Sequence, residues 1–263
     1  MSRTSLAGRR AWVVGASSGI GAATAQELVY RGADVAVTAR REDALQAVSG
    51  GRMLAVAADV TDADAIAAAA EKVEADLGPI DIAVLSAGYW QQFDPRAWSV
   101  DAFERHVAVN LLGMSSCIAA VLPSMLARDE GTIAGVASVA GFRGLPGAEA
   151  YGATKAAQIS MLESLRIDLA DTGVRITTIC PGFVDTDMTA ANDFPMPFMI
   201  SAEAAGRAIC DGLERRRTEI VFPPAMAALM RGARHVPTSG WPLLWRVARN
   251  GRAGARRDQE PAA

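Results

Sequence analysis

Two residues in this chain are spaced to exchange protons with one substrate: Tyr151 and Lys155, in the run Tyr-Gly-Ala-Thr-Lys. Residues four apart on a helix share a face about one turn apart, so a phenol and an ammonium placed there can act on the same atom. A free phenol has a pKa of about 10, too high for ready exchange at neutral pH, and a neighbouring cation lowers it. The pair is therefore a route to general acid/base chemistry without histidine. Three tyrosines and two lysines in 263 residues would produce this spacing by chance roughly 0.02 times. Either residue alone would read as part of a solvated helix face. The surrounding sequence argues otherwise.

Upstream lies Val14-Gly15-Ala16-Ser17-Ser18-Gly19-Ile20-Gly21. Glycines between a strand and a helix let backbone approach a pyrophosphate, and the helix N-terminus offers oriented N–H groups to it. Gly15, Ser17, Ser18, Gly19, Ile20 and Gly21 are thus expected to hold a dinucleotide. The second strand ends Val37-Thr38-Ala39-Arg40-Arg41. An acidic residue there would accept from the ribose 2′-hydroxyl of NAD, but this chain has guanidinium groups suited to a 2′-phosphate. Arg40 and Arg41 make NADP(H) the expected cofactor, with NAD(H) as the alternative.

Elements to position these groups follow from hydrophobic patterning. Short apolar runs at 11–14, 34–38, 53–57, 82–85, 132–137, 175–179 and 219–222 predict strands. Helical patterns fall between them at 20–31, 42–48, 62–77, 102–127, 153–171 and 202–215. Thr61-x-x-Asp64 resembles a capping box, and Gly32, Gly78 and Gly173 sit where left-handed helix caps are needed. Such alternation predicts an α/β fold: one doubly wound Rossmann-type domain, with about seven parallel strands and helices on both faces. Ligands then bind beyond the carboxyl ends of the strands, where Gly15, Arg40, Asp59, Gly88, Ser138 and Pro181-Gly182 fall. Residues 1–222 are read as the catalytic domain, with a substrate loop at about 184–200. Residues 223–263 are read as a basic extension, either part of that domain or a frayed tail.

Composition narrows the classes. Apolar residues make up 51% and charged residues 21%, which suits a globular core rather than global disorder. No 18-residue apolar run occurs, so an ordinary membrane-spanning helix is expected to be excluded, and the first residues show no secretory pattern. Cys117, Cys180 and Cys210 are widely separated and His106 and His235 are the sole histidines. That pattern fits reduced cysteines, a cytoplasmic setting and no metal site. The net charge of −3 hides an asymmetry: residues 220–257 hold no carboxylate but seven arginines, at 231, 234, 246, 249, 252, 256 and 257.

In order and spacing these motifs resemble the short-chain dehydrogenase/reductase family, from about residue 7 to 222. Asp59-Val60 is similar to the family's pair beside the adenine, and Leu85-Ser86-Ala87-Gly88 stands where the family has Asn-Asn-Ala-Gly. Val14 replaces the threonine usual before the first glycine. Asn110, Ser138, Tyr151 and Lys155 match the catalytic tetrad, and Pro181-Gly182-Phe183-Val184-Asp185-Thr186 matches the segment beside the nicotinamide. The resemblance implies an oxidoreductase in which Tyr151 donates a proton to a carbonyl oxygen. Lys155 would lower the Tyr151 pKa and hold the nicotinamide ribose, Ser138 would hydrogen-bond the alkoxide, and Asn110 would position a relay water. It assigns Ala87, Gly88, Pro181, Gly182, Val184 and Thr186 to the cofactor. It also implies a homodimer or homotetramer. A nucleotide-sensing module without turnover, on the same fold, is the competing class.

The family's substrate loops here carry Trp90, Phe142, Leu145, Phe183 and Met188, so an apolar ketone or secondary alcohol is expected as the small-molecule substrate. The tail combines Trp241 and Trp245 with arginine. It is read as a flap over the pocket, or as a weak peripheral membrane contact; a nucleic-acid partner is not expected.

Overall fold

The structure, a computed structural model, describes residues 4–190 and 192–246. The sheet strands β1 (Arg10–Val14), β2 (Asp34–Ala39), β3 (Leu54–Ala57), β4 (Ile82–Leu85), β5 (Gly131–Val136) and β6 (Val174–Pro181) precede two short ones. These are β7 (Val184–Asp185) and β8 (Ile200–Ser201), and β9 (Glu219–Phe222) follows. The helices are α1 (Gly19–Tyr30), α2 (Glu42–Ser49), α3 (Ala63–Leu77), α4 (Val100–His106), α5 (Gly113–Arg128), α6 (Glu149–Asp168), α7 (Asp187–Ala190), α8 (Ala202–Glu214) and α9 (Pro224–Arg234).

Strands buried on both faces need apolar residues at every position, and the β strands supply them. In β1, Ala11 and Val13 enter one buried layer while Trp12 and Val14 enter the other. In β4, Ile82 and Val84 take the first layer and Ala83 and Leu85 the second. Leu28 of α1, Leu45 of α2 and Ile209 of α8 complete the first layer; Ile66 of α3, Cys117 of α5 and Leu162 of α6 complete the second. Seven parallel strands run in the order β3-β2-β1-β4-β5-β6-β9, and β7 pairs separately with β8. The order reverses direction between β1 and β4, the point at which such sheets open a crevice. Val14 lies level with both Thr38 and Leu85 there.

Several local expectations change in three dimensions. The helix expected over 102–127 is interrupted: α4 passes through a π-helical turn, Val107–Leu112, before α5 begins. Joined, Val100–Arg128 contains an 18-residue window of mean hydropathy 1.7 and is long and apolar enough by those measures to cross a membrane. The absence of an uninterrupted apolar run concealed this. In the fold, Cys117, Val121 and Met125 of α5 pack in the core. The helix expected from residue 153 starts at Glu149, which brings Tyr151 into its first turn. Asp62, rather than Thr61, caps α3 by accepting from Ala65 N at 3.0 Å. Thr61 is committed elsewhere, donating from both its backbone N and hydroxyl to Asp59 Oδ1 at 2.9 Å. Gly32 and Gly78 adopt positive φ, but Gly173 does not. A side chain at Gly173 would instead run into the Asp129 backbone.

A buried polar contact joins β1 to β2 within the second layer. Trp12 Nε1 donates to Thr38 Oγ1 at 2.8 Å, with both residues fully buried. Thr38→Val keeps the β-branched shape but leaves the indole N–H unpaired, which costs about 1–3 kcal/mol. Urea denaturation should show a lower midpoint with an unchanged slope.

Candidate active site

The glycine run folds as a close backbone crossing. Gly15 has φ 83° and Gly19 φ 57°. A Cβ at Gly15 would overlap the backbone of Ser86 and Ala87, and one at Gly21 would overlap the Gly15 carbonyl. Gly15 N and Ala16 N both donate to Thr38 O, at 2.8 and 3.2 Å, and Ser86 N donates to Val14 O at 2.8 Å. The loop is thereby fixed to β2 on one side and to the end of β4 on the other. Helices α3, α4 and α8 have side-chain caps from Asp62, Ser99 and Ser201. Ser18 makes no such bond at α1, whose first turn also lacks an acidic residue. Its free donors face a cleft of ≈ 340 Å³.

That cleft collects most of the expected cofactor residues. Its lining includes Gly15, Ser17, Ser18, Gly19, Ile20, Gly21, Arg40 and Arg41 at one end. Val60, Ala87, Gly88, Pro181, Gly182, Val184 and Thr186 line it further along, with Ser138, Tyr151 and Lys155. Among the described residues the lining holds two arginines and one lysine but no carboxylate. Arg41 Nη2 donates to Ser17 Oγ at 3.4 Å, and Arg40 Nε lies 3.7 Å from Asp59 Oδ2 on the surface. Asp59 itself stands outside the lining, occupied by Thr61 and Arg40. Uncapped helix donors, side-chain-free glycines and two guanidinium groups fit a dinucleotide phosphate. Ala39, Ala58, Ser86, Val109, Val136, Ala137 and Thr189 also line the cleft. Most adjoin a residue named from the sequence, and small size was their one signal.

The geometry around Ser138, Tyr151 and Lys155 comes from a tight contact between the exit of β5 and α6. After β5, a 3₁₀ turn at Val139–Gly141 is capped by Ser138, whose Oγ accepts from Ala140 N at 3.1 Å. A Cβ at Gly141 would lie 2.7 Å from Lys155 C, so the turn presses directly on the α6 backbone. Lys155 is 3% exposed; its Nζ donates to Val136 O at 3.0 Å and lies 5.4 Å from the Tyr151 ring centre. Burial pushes the Tyr151 phenol up to about 12, with the Ser138 hydroxyl pulling the other way. The same burial brings the Lys155 amine down to about 7. Desolvation disfavours both charged forms, and the phenol is raised rather than lowered as expected beside Lys155.

Asn110 sits in the π-helical turn, fully buried and outside the cleft lining. Its Oδ1 accepts from Tyr89 N at 2.7 Å, and its Nδ2 donates to Tyr89 O at 3.1 Å and Thr154 Oγ1 at 3.0 Å. Gln158 Nε2 donates to its backbone oxygen at 2.6 Å. Sequence reasoning does not single out Thr154 and Gln158, although both lie on the buried face of α6 with Lys155.

On the substrate side, Met188 lines the cleft and Trp90 packs edge-on against Tyr151, ring centres 5.1 Å apart. Phe142 lies in a core cluster with Met226 and Met230, beneath Arg234 at 3.9 Å, and Leu145 and Phe183 pack against that cluster. The cover comes from α9 and the segment after it. Arg143 Nη2 donates to Val236 O at 3.1 Å, and Trp241 Nε1 donates to Gly144 O at 2.7 Å. The arginines at 249, 252, 256 and 257 lie outside the described residues.

Residues 9–194 match the family model described as short chain dehydrogenase. The chain belongs to the short-chain dehydrogenase/reductase family. Members of this family are NAD(P)-dependent oxidoreductases, and this chain is one of them. It is 38% identical to an uncharacterized oxidoreductase of Myxococcus xanthus over 92% of this chain and 96% of that protein. It is 35% identical to the cis-4-hydroxycyclohexanecarboxylate dehydrogenase of Sinomonas cyclohexanicum, over 76% of this chain and 81% of the relative. A serine dehydrogenase solved with NADP+ superposes with a TM-score of 0.74 at 26% identity, over 82% of this chain and 95% of that one.

For this dehydrogenase, Lys155 gives a pH prediction. Its folded pKa of about 7 lies below the ordinary 10.5. Between those values the unfolded chain holds a proton that the folded chain releases, so this group's penalty is full below pH 7 and fades as pH rises. Lys155→Met removes the penalty. Its stability relative to the unmodified protein should be most favourable at pH 6 and fall toward pH 10, as read by thermal or urea unfolding. A margin independent of pH would contradict the assignment.

Proposed function

We propose that this enzyme moves hydride between NADP(H) and a lipophilic ketone or secondary alcohol, with Tyr151 as general acid/base. One observation carries the reading: a single cleft joins Tyr151, Ser138 and Lys155 to a mouth lined by Arg40 and Arg41, with no carboxylate among the described residues. The uncapped first turn of α1 would hold the pyrophosphate, and the two guanidinium groups a 2′-phosphate. When bound, the nicotinamide supplies or accepts the hydride. The Tyr151 phenol is protonated at neutral pH and so carries the proton that a carbonyl oxygen would take; burial raises its pKa and the Ser138 hydroxyl lowers it. The Ser138 hydroxyl sits to donate to the oxygen as negative charge develops on it. Lys155 titrates near neutrality and can return a proton to Tyr151 after each turnover. Met188 and Trp90 beside this group support an apolar substrate. The packing of Trp241 and Val236 on the loop at 143–144 supports a flap role for the C-terminal segment.

Purified protein should oxidise NADPH in the presence of a suitable ketone. Tyr151→Phe should lower kcat by about 10²-fold or more while NADPH affinity holds; retained turnover would sink the mechanism.

Cofactor choice is tested separately. The unmodified enzyme should bind NADPH more tightly than NADH, and Arg40→Ala should weaken NADPH by about 1.5–3 kcal/mol with little change for NADH. Titration of the two cofactors by fluorescence reads both.

A further inference from the structure

The segment leaving β4 is held more firmly than an ordinary loop. Both backbone groups of Tyr89 are taken by the Asn110 amide. Two residues on, Gln91 N donates to His106 Nε2 at 3.2 Å, while His106 Nδ1 lies 2.7 Å from Ala102 O. These contacts define a neutral imidazole that donates from Nδ1 and accepts at Nε2. His106 is fully buried, and burial lowers its pKa, which favours that neutral form. Trp90 therefore projects from between two pinned residues.

Its side chain is fixed at the far end as well. Trp90 Nε1 donates to Asn192 Oδ1 at 2.9 Å, and Asn192 Nδ2 reaches Met196 Sδ at 3.5 Å. The Phe194 ring lies 6.5 Å from the indole. Between these anchors the indole stands at 78° to the Tyr151 ring. A large rigid side chain thus occupies one side of the proposed proton donor. Met188, 40% exposed and lining the cleft, is an unbranched side chain able to adapt.

We propose that Trp90, latched by Asn192, is a specificity-determining wall: it restricts one flank of the reacting carbonyl to a small substituent and directs the large apolar substituent toward Met188. The substrate class is then a ketone with one small and one large apolar group, or the matching secondary alcohol. This rests on the functional reading above, in which Tyr151 meets the carbonyl oxygen.

The test compares acetophenone, with a methyl flank, and benzophenone, with two bulky flanks, in the full chain and in Trp90→Ala, Trp90→Phe and Asn192→Ala. Two readouts are taken: kcat/KM with NADPH, and ketone dissociation constants by calorimetry with NADP+ present. The unmodified enzyme should favour acetophenone by at least about tenfold. Trp90→Ala should erode that ratio about tenfold, mainly through KM for benzophenone. Asn192→Ala should erode it less, and Trp90→Phe should retain most of it. An unmoved ratio in folded Trp90→Ala, checked by circular dichroism, overturns the wall even if turnover proceeds. If no variant turns over but Trp90→Ala still changes the ratio of dissociation constants, the wall stands and the catalytic reading falls. Loss of both turnover and ketone binding in the unmodified protein overturns the wall.

Discussion

The structure depends on one close approach: the backbone of Gly15 lies against that of Ser86 and Ala87 at the carboxyl ends of β1 and β4. No Cβ fits there. Because this contact closes the floor of the cleft, the uncapped first turn of α1 opens onto the ligand space. Gly21 repeats the constraint against the Gly15 carbonyl. The family's usual threonine and asparagine pair are absent at Val14 and Leu85-Ser86. Backbone bonds from Gly15, Ala16 and Ser86 nevertheless tie the same loop to its neighbours.

A second close contact carries this floor to the catalytic groups. Gly141 brings the turn after β5 onto α6, and a Cβ at Gly152 would come within 3.3 Å of the Ala140 carbonyl oxygen. Ser138 and Tyr151, remote in sequence, become neighbours through residues that have no side chain. The resulting enclosure desolvates both side chains of the Tyr-x-x-x-Lys pair: it raises the Tyr151 phenol and lowers the Lys155 amine. Such a site keeps the Tyr151 phenol neutral and leaves the Lys155 amine partly charged near neutrality. With Arg40 and Arg41 at its mouth and no acidic group among the described residues, the cleft is suited to an anionic partner.

The π-helical turn links the two sides of the site. It directs the Asn110 side chain into hydrogen bonds with Tyr89 and Thr154, and its backbone oxygen receives Gln158. The Tyr89–Trp90 segment and α6 therefore share one buried amide. Such turns insert a residue into an otherwise regular helix and often mark functional positions.

Much of this is legible in the order of residues. Period-two and uninterrupted apolar runs located the seven strands of the main sheet, since a strand buried on both faces leaves little choice of residue. Glycines between strand and helix, and Tyr151 four residues before Lys155, pointed to the site because their chemistry depends on local spacing. The π-helical turn was not legible, because its apolar pattern continues through Val107–Leu112 as in a regular helix. Nor was the cap at Asp62, where neighbouring Thr61 is an equally good candidate until Asp59 engages it. Phe142 and Trp90 show the division most clearly. Both are aromatic residues in loops after strands, and composition treats them alike. Helix α9 buries Phe142 under Met226 and Met230, whereas Asn110, His106 and Asn192 hold Trp90 against Tyr151. The sequence by itself determined the fold class and pointed to the candidate reacting groups, which rest on short-range pattern. Tertiary structure alone decided protonation and the walls of the site, because burial and long-range contacts depend on what the rest of the chain brings alongside.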